Sequence, residues 1–190
     1  PGQFGAASMT AAMLDEGAAG KAALALADEV EFLGAQLSTG ASFDASVVRM
    51  STPAAKLSDA LGLLAQVALT PDFPPQELDR LKTERLTALL QARDDPPTLA
   101  GLAFPRLLYG PEHRYGTSAN GTETSLKALG VDQLRGFHRG HFRPDNAVLI
   151  VVGDVTLPGT GGAGLLLLTS FLPYVLAISA LLGGVFVANQ

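Results

Sequence analysis

Apolar positions along the chain change their period several times, and each change marks an element. Over residues 21–33 the apolar Ala23, Leu24, Leu26, Ala27, Val30 and Leu33 recur near helical spacing, with Asp28, Glu29 and Glu31 off that face. This predicts an amphipathic helix closed by Gly34. Residues 35–41 and 45–52 read instead as two paired strands around Ser42-Phe43-Asp44, with Val47 and Val48 supplying β-branched bulk. Pro53 ends the second strand, and Leu57, Leu61, Leu64 and Ala68 return to helical spacing over 54–69. A stiff Pro71-Asp72-Phe73-Pro74-Pro75 link leads into a more polar helix over 76–93. Asp94-Asp95-Pro96-Pro97 breaks that helix, and Thr98 is the expected cap of another that runs to Leu108 or Tyr109.

After a loop over 110–121, short helices are expected at 123–129 and 131–141, with Thr122 capping the first. The continuous apolar run 147–152, between the turn Arg143-Pro144-Asp145-Asn146 and Gly153-Asp154, reads as a buried central strand. Ahead of all these, residues 5–17 read as a short helix of small and apolar residues ending at Gly17. Ala6, Ala7, Ala11 and Ala12 would let another backbone come close, so this helix should be buried. Strands interleaved with several helices predict an α+β fold, one mainly antiparallel sheet with helices packed on it.

The end of the chain has a different pattern. No charged residue follows Asp154, and residues 164–188 are Leu, Ile, Val, Phe, Ala and Gly with few polar interruptions. An uncharged apolar run longer than about 20 residues is long enough to span a membrane as a helix. No Lys or Arg flanks it, Arg143 being the last cation, so nothing orients it in a bilayer. Two readings stand for it, a transmembrane helix or a non-native or truncated end. The organisation expected is a domain over 1–156 opening inside a fold element, a glycine-rich linker over 157–163 and an apolar tail over 164–188.

Composition narrows the function. The net charge of −5 and the absence of a basic footprint argue against a nucleic-acid partner. The chain has no cysteine, which excludes disulfides and thiolate metal sites. It also lacks a P-loop and a Gly-x-Ser-x-Gly elbow.

Several short motifs then occur in a common order: Asp15-Glu16-Gly17, Glu31-Phe32-Leu33-Gly34-Ala35, Thr70-Pro71-Asp72-Phe73, Leu108-Tyr109-Gly110, Tyr115-Gly116, Asn120-Gly121 and Arg143-Pro144-Asp145-Asn146-Ala147, leading to Val152-Gly153-Asp154-Val155. Over residues 5–156 this order resembles the zinc-binding half of the M16 metallopeptidases (pitrilysin, insulin-degrading enzyme, mitochondrial processing peptidase). The resemblance implies a fold like that of LuxS and the mitochondrial processing peptidase. In active members the first helix carries His-x-x-Glu-His, and a distant Glu completes the zinc site. A catalytic zinc needs three such ligands, an open position for water and a general base. The resemblance puts the two His at Ser8 and Ala12, the base at Ala11 and the distant Glu near Ala88. Alanine has no donor atom, and a lone serine hydroxyl is a poor zinc ligand. No cofactor is therefore expected in this chain, and zinc is expected in an active partner or in the other half of a fused protein.

Other candidate chemistry is sparse. His138 and His141 stand three apart on an expected helix and form the alternative metal pair, although no third ligand is recognisable nearby. The bland alternative is a helix end whose imidazoles meet backbone carbonyls or solvent. His113 reads as a surface-loop residue, and Asp15 and Glu16 read either as paired acids or as a solvated face.

Three functions follow from the resemblance. The chain is a non-catalytic domain that completes the peptide-binding chamber of a zinc metallopeptidase and supports a catalytic M16-type subunit. Or it is the inactive region of a fused chain whose other half is an active endopeptidase. Or it is a membrane-anchored binding protein, with 164–188 as its membrane contact. The alternating strand near Ser46–Thr52 is one candidate edge for an extended peptide, and the sequence does not say which edge is free. A bacterial cell envelope is the expected site by analogy.

Overall fold

In the computed structural model, structure is described for residues 4–154, 164–167, 176–180 and 186–187. Helix α1 (Ala6–Ala12) opens the fold and is buried as its small side chains predict, with Met9, Thr10 and Ala11 fully enclosed. It packs against α7 (Val131–His141) and against the hairpin of β3 (Gln36–Ala41) and β4 (Ser46–Thr52). It ends earlier than expected. Met13 and Leu14 close it with tight backbone bonds to Thr10 and Ala11, and Gly17 belongs to the next element.

That element is a small hairpin of β1 (Gly17–Ala18) and β2 (Lys21–Ala22). Its two turn residues, Ala19 and Gly20, both have positive φ, as a tight two-residue hairpin turn requires. Because Lys21 and Ala22 are held in the hairpin, α2 (Ala23–Phe32) starts two residues later than its apolar spacing suggests. Only Leu26 of α2 is buried. Leu24, which the spacing puts on the apolar face, points to solvent.

Helices α3 (Leu57–Leu69) and α4 (Pro75–Gln91) follow the sequence reading closely. Ala60, Leu63, Leu64, Val67 and Ala68 form the buried face of α3. The cap of α5 (Pro96–Tyr109) differs from expectation: Asp95 Oδ2 accepts from the Thr98 backbone N–H, so Thr98 lies inside the first turn. Two prolines fit that turn because their missing N–H groups would have no partner there. No residue of α5 is buried. Helix α6 (Glu123–Ala128) has the expected Thr122 cap, made reciprocal by Ser125 Oγ, which accepts from the Thr122 N–H at 2.8 Å.

The main sheet runs β3-β4-β7-β8-β5-β6, where β5 is Leu149–Gly153, β6 Gly164–Leu167, β7 Leu176–Ala180 and β8 Phe186–Val187. β3 and β4 pair antiparallel from Gln36↔Ser51 to Ala41↔Ser46. Most pairings are antiparallel, in line with the α+β expectation. β7 is the exception, lying parallel to β4 and β5 through Ile178, which faces Met50 and Val151. β4 therefore has neighbours on both sides and is not a free edge. Among the described residues the outer strands of this sheet are β3 and β6.

Of the apolar tail expected over 164–188, residues 168–175, 181–185 and 188 lie outside the described residues. Its described segments are strands, and no helix among the described residues is long and apolar enough to cross a membrane. An uncharged apolar run suits a strand with sheet neighbours on both sides as well as it suits a helix. The expected linker at 157–163 lies outside the described residues.

Candidate functional site

The site to test is the one where α1 faces α4. Ser8 is buried, and its hydroxyl lies 2.9 Å from the Ala119 carbonyl oxygen and 3.2 Å from that of Gly5. Arg85, on α4, grips the same residue. Its Nη1 donates to Ser8 Oγ and its Nη2 to the Ser8 carbonyl, both at 2.8 Å. Burial pushes the Arg85 guanidinium below its ordinary pKa, partly offset by the neighbouring Glu84 carboxylate.

A turn earlier on α4 the charges are arranged differently. Arg80 pairs with Glu77 at 2.7 Å, with Glu84 at 3.6 Å and with Glu16 at short range. The contacts Ser8–Arg85 and Glu16–Arg80 pair increasing numbers on α1 and its following turn with decreasing numbers on α4. The two segments thus run antiparallel. Ala88 lies on an open groove along α4, beside Glu84 and Thr87.

These residues do not fit a zinc ion. Ala11, Ala12 and Ala88 supply no ligand atom, and the one hydroxyl present, on Ser8, already accepts from a guanidinium whose charge would repel a dication. The histidine pair fits no better. His138 Nε2–H donates to the Ala68 carbonyl at 2.8 Å, its ring stacked on Phe142 and edge-on to Phe73. His141 Nδ1–H donates to the Phe137 carbonyl at 2.9 Å, stacked on the Phe137 ring. Both imidazoles meet backbone carbonyls, as the bland reading expects. Among the described residues no cluster of three His, Asp or Glu is placed to hold a metal.

The remaining candidates have structural partners. His113 Nδ1 accepts from the Tyr115 N–H, capping a turn of 3-10 helix. Asp15 and Glu16 point to different places. Glu16 meets Arg80, whereas Asp15 accepts from Thr39 Oγ1 at 3.4 Å and has its pKa raised chiefly by burial. Sequence reasoning missed Arg85, because a single arginine on a polar helix looks like any solvated charge.

His138 gives the fold a pH signature. Burial lowers its pKa from an ordinary 6.5, so the folded state binds that proton less readily than the unfolded chain. Its contribution is complete above pH 6.5 and is lost as pH falls through the lowered folded value. Asp15 acts in the opposite sense: its raised pKa adds stability as pH falls through the folded value towards 3.8. Denaturant titrations across this range should show stability declining below pH 6.5 in the wild type. The His138→Gln variant should lack that decline, and an unchanged decline would rule out His138 as its source.

No protein-family profile matches the chain. It is 25% identical over 158 residues to the non-peptidase homologue YmxG of Helicobacter pylori, covering 83% of this chain and 36% of that protein. It is 24% identical to uncharacterised zinc proteases of Mycobacterium leprae (80% of this chain, 34% of the relative) and Bacillus subtilis (YmxG; 76% and 35%). The chain thus spans about a third of the length of the curated relatives it matches.

Among solved structures, the M16 peptidase inactive domain from Pseudomonas fluorescens superposes with a TM-score of 0.68 at 37% identity, over 72% of this chain and 33% of that one. A conserved Enterococcus faecalis protein, at 15% identity and TM-score 0.63 over 72% and 36% of the two chains, shares the fold. Sequence and fold together show an M16-like domain, similar to an inactive peptidase domain and to a non-peptidase homologue.

Proposed function

We propose that the chain is the supporting, non-catalytic member of a peptide-handling zinc metallopeptidase assembly. It helps to enclose an extended peptide, and a catalytic M16-type partner supplies the zinc. The observation that carries this reading is the arrangement around Ser8. The M16-like fold is kept, while the helix position that resembles a zinc ligand is a serine tied to an arginine. Strand β3, an outer strand of the sheet among the described residues and packed beside α1, offers backbone groups to an extended peptide. In a second form of the same reading the catalytic half lies in the same polypeptide, since the curated relatives are about three times as long as the stretch matched.

Metal analysis and peptide-cleavage assays on the intact chain, alone and with a co-purifying partner, test the reading. The expected result is no stoichiometric zinc and no cleavage by the chain alone, with cleavage appearing when the partner is added. Stoichiometric zinc in the isolated chain would refute the placement at Ser8, Ala11, Ala12 and Ala88 and direct attention to His138 and His141. A His-x-x-Glu-His in the flanking coding sequence would distinguish the fused form from separate subunits.

A further inference from the structure

Arg85 carries an unbalanced charge. Its guanidinium is half-buried, and among the described residues both of its hydrogen bonds go to neutral oxygens of Ser8. Arginine has five N–H donors in a planar fork, so three remain for another acceptor. No described carboxylate lies within ion-pair distance of it. The contrast with Arg80 is sharp, because Glu16, Glu77 and Glu84 all converge there. Glu84, the carboxylate next to Arg85 in sequence, is therefore already paired elsewhere on the helix.

A cation partly withdrawn from water, hydrogen-bonded only to neutral oxygens and with Glu84 near but not in ion-pair contact, is an incomplete ion pair. Its surroundings do not close it off. Ala88, one turn further along α4, is exposed, and Ala7 and Ala12, flanking Ser8 on α1, are only partly covered. α1, which bears Ser8, also packs against β3, an outer strand of the sheet among the described residues. A planar guanidinium fixed in orientation by two bonds is the donor that a carboxylate matches best, through paired charge-assisted hydrogen bonds.

We propose that Arg85, held in place by Ser8, is a carboxylate-binding residue that takes an acidic group of a bound peptide, either the C-terminal carboxylate or an Asp or Glu side chain. The inference rests on the peptide-holding reading above and adds the chemical class of the ligand.

Fluorescence anisotropy with three labelled decapeptides and the intact chain tests it. One peptide has a free C-terminus and no acidic residue, the second is its C-terminal amide, and the third is the amide with a single internal Glu. The expected result is that at least one carboxylate peptide binds about tenfold tighter than the plain amide, and which one does identifies the source of the acidic group. The preference should shrink as ionic strength rises. Arg85→Met should abolish it, and Arg85→Lys, which keeps the charge but loses the fork, should retain part of it. Should Arg85→Met fail to fold, the wild-type preference and its reduction in Arg85→Lys decide. Equal binding of all three peptides, or a preference that survives unchanged in both variants, overturns the inference and leaves peptide holding intact. No binding of any of the three overturns both.

Discussion

Replacing Phe73 with alanine lowers stability by about 3–5 kcal/mol, the range for deleting a buried aromatic ring. Phe73 is 1% exposed and ranks among the largest fully enclosed side chains, its ring meeting His138 edge-on at 5.7 Å. The link around it is tied to the first hairpin. The Asp72 N–H donates to the Gly17 carbonyl, Ala19 N–H to the Thr70 carbonyl, and Gly20 N–H to Asp72 Oδ2. Phe73 itself has φ of +53°, a left-handed conformation that bulky residues rarely adopt. The buried ring therefore holds a strained backbone in place, and alanine would keep the strain while losing the ring. Glycine would lose the ring but relieve the strain. Urea denaturation should accordingly find Phe73→Gly at least as stable as Phe73→Ala, reversing the usual order in which glycine is worse by about 0.5–1 kcal/mol. Alanine clearly above glycine would show that the left-handed conformation is not held.

The Gly5→Ala substitution is the second large effect, expected at about 2–6 kcal/mol from backbone strain and overpacking together. Gly5 precedes α1 with φ of +85°, and a Cβ there would lie 2.8 Å from the Asn120 carbonyl oxygen and 2.9 Å from Gly121 Cα. Gly121, with φ of +88°, makes the reciprocal approach to the Phe4 carbonyl. This backbone-to-backbone contact seats the 117–121 loop on the start of α1 and brings the Ala119 carbonyl to Ser8. Gly62→Ala is the matched control. It lies in the exposed middle of α3 with nothing within 4 Å of its Cβ, so alanine there should stabilise by up to about 1 kcal/mol. Thermal and denaturant unfolding of the two variants should move in opposite directions. A mild effect of Gly5→Ala would mean that the loop can move away from α1 at little cost.

Local signals explain which elements were legible. α3 and α4 could be read from their period and the prolines between them, and Thr122 was recognisable as a cap because a hydroxyl before a helix has one obvious backbone donor to satisfy. Errors came where a neighbour distant in sequence set the local conformation. α1 ends before Gly17, and α2 begins after Lys21, because the intervening residues pair as a hairpin that the 70–74 link holds. Asp95 displaced Thr98 as a cap, since either residue type can serve and only the chain path selects one.

At the site the division is similar. The residues themselves show that no His-x-x-Glu-His occurs in this chain, and the order of the short motifs resembles that of the M16 family, which implies the M16-like fold. Arg85 was illegible, since its meaning depends on a residue 77 positions away in sequence. Which edge is open was also beyond the pattern, because alternation places a strand in a sheet but does not name its neighbours. By itself the sequence determined the kind and order of most elements, the loss of zinc-ligand chemistry and the lack of charge after Asp154. Only the tertiary structure decided that β4 lies inside the sheet, that the described apolar tail segments are strands, and that Ser8 and Arg85 meet. Those facts are long-range pairings, and the free energy that selects them comes from partners that no local window of sequence contains.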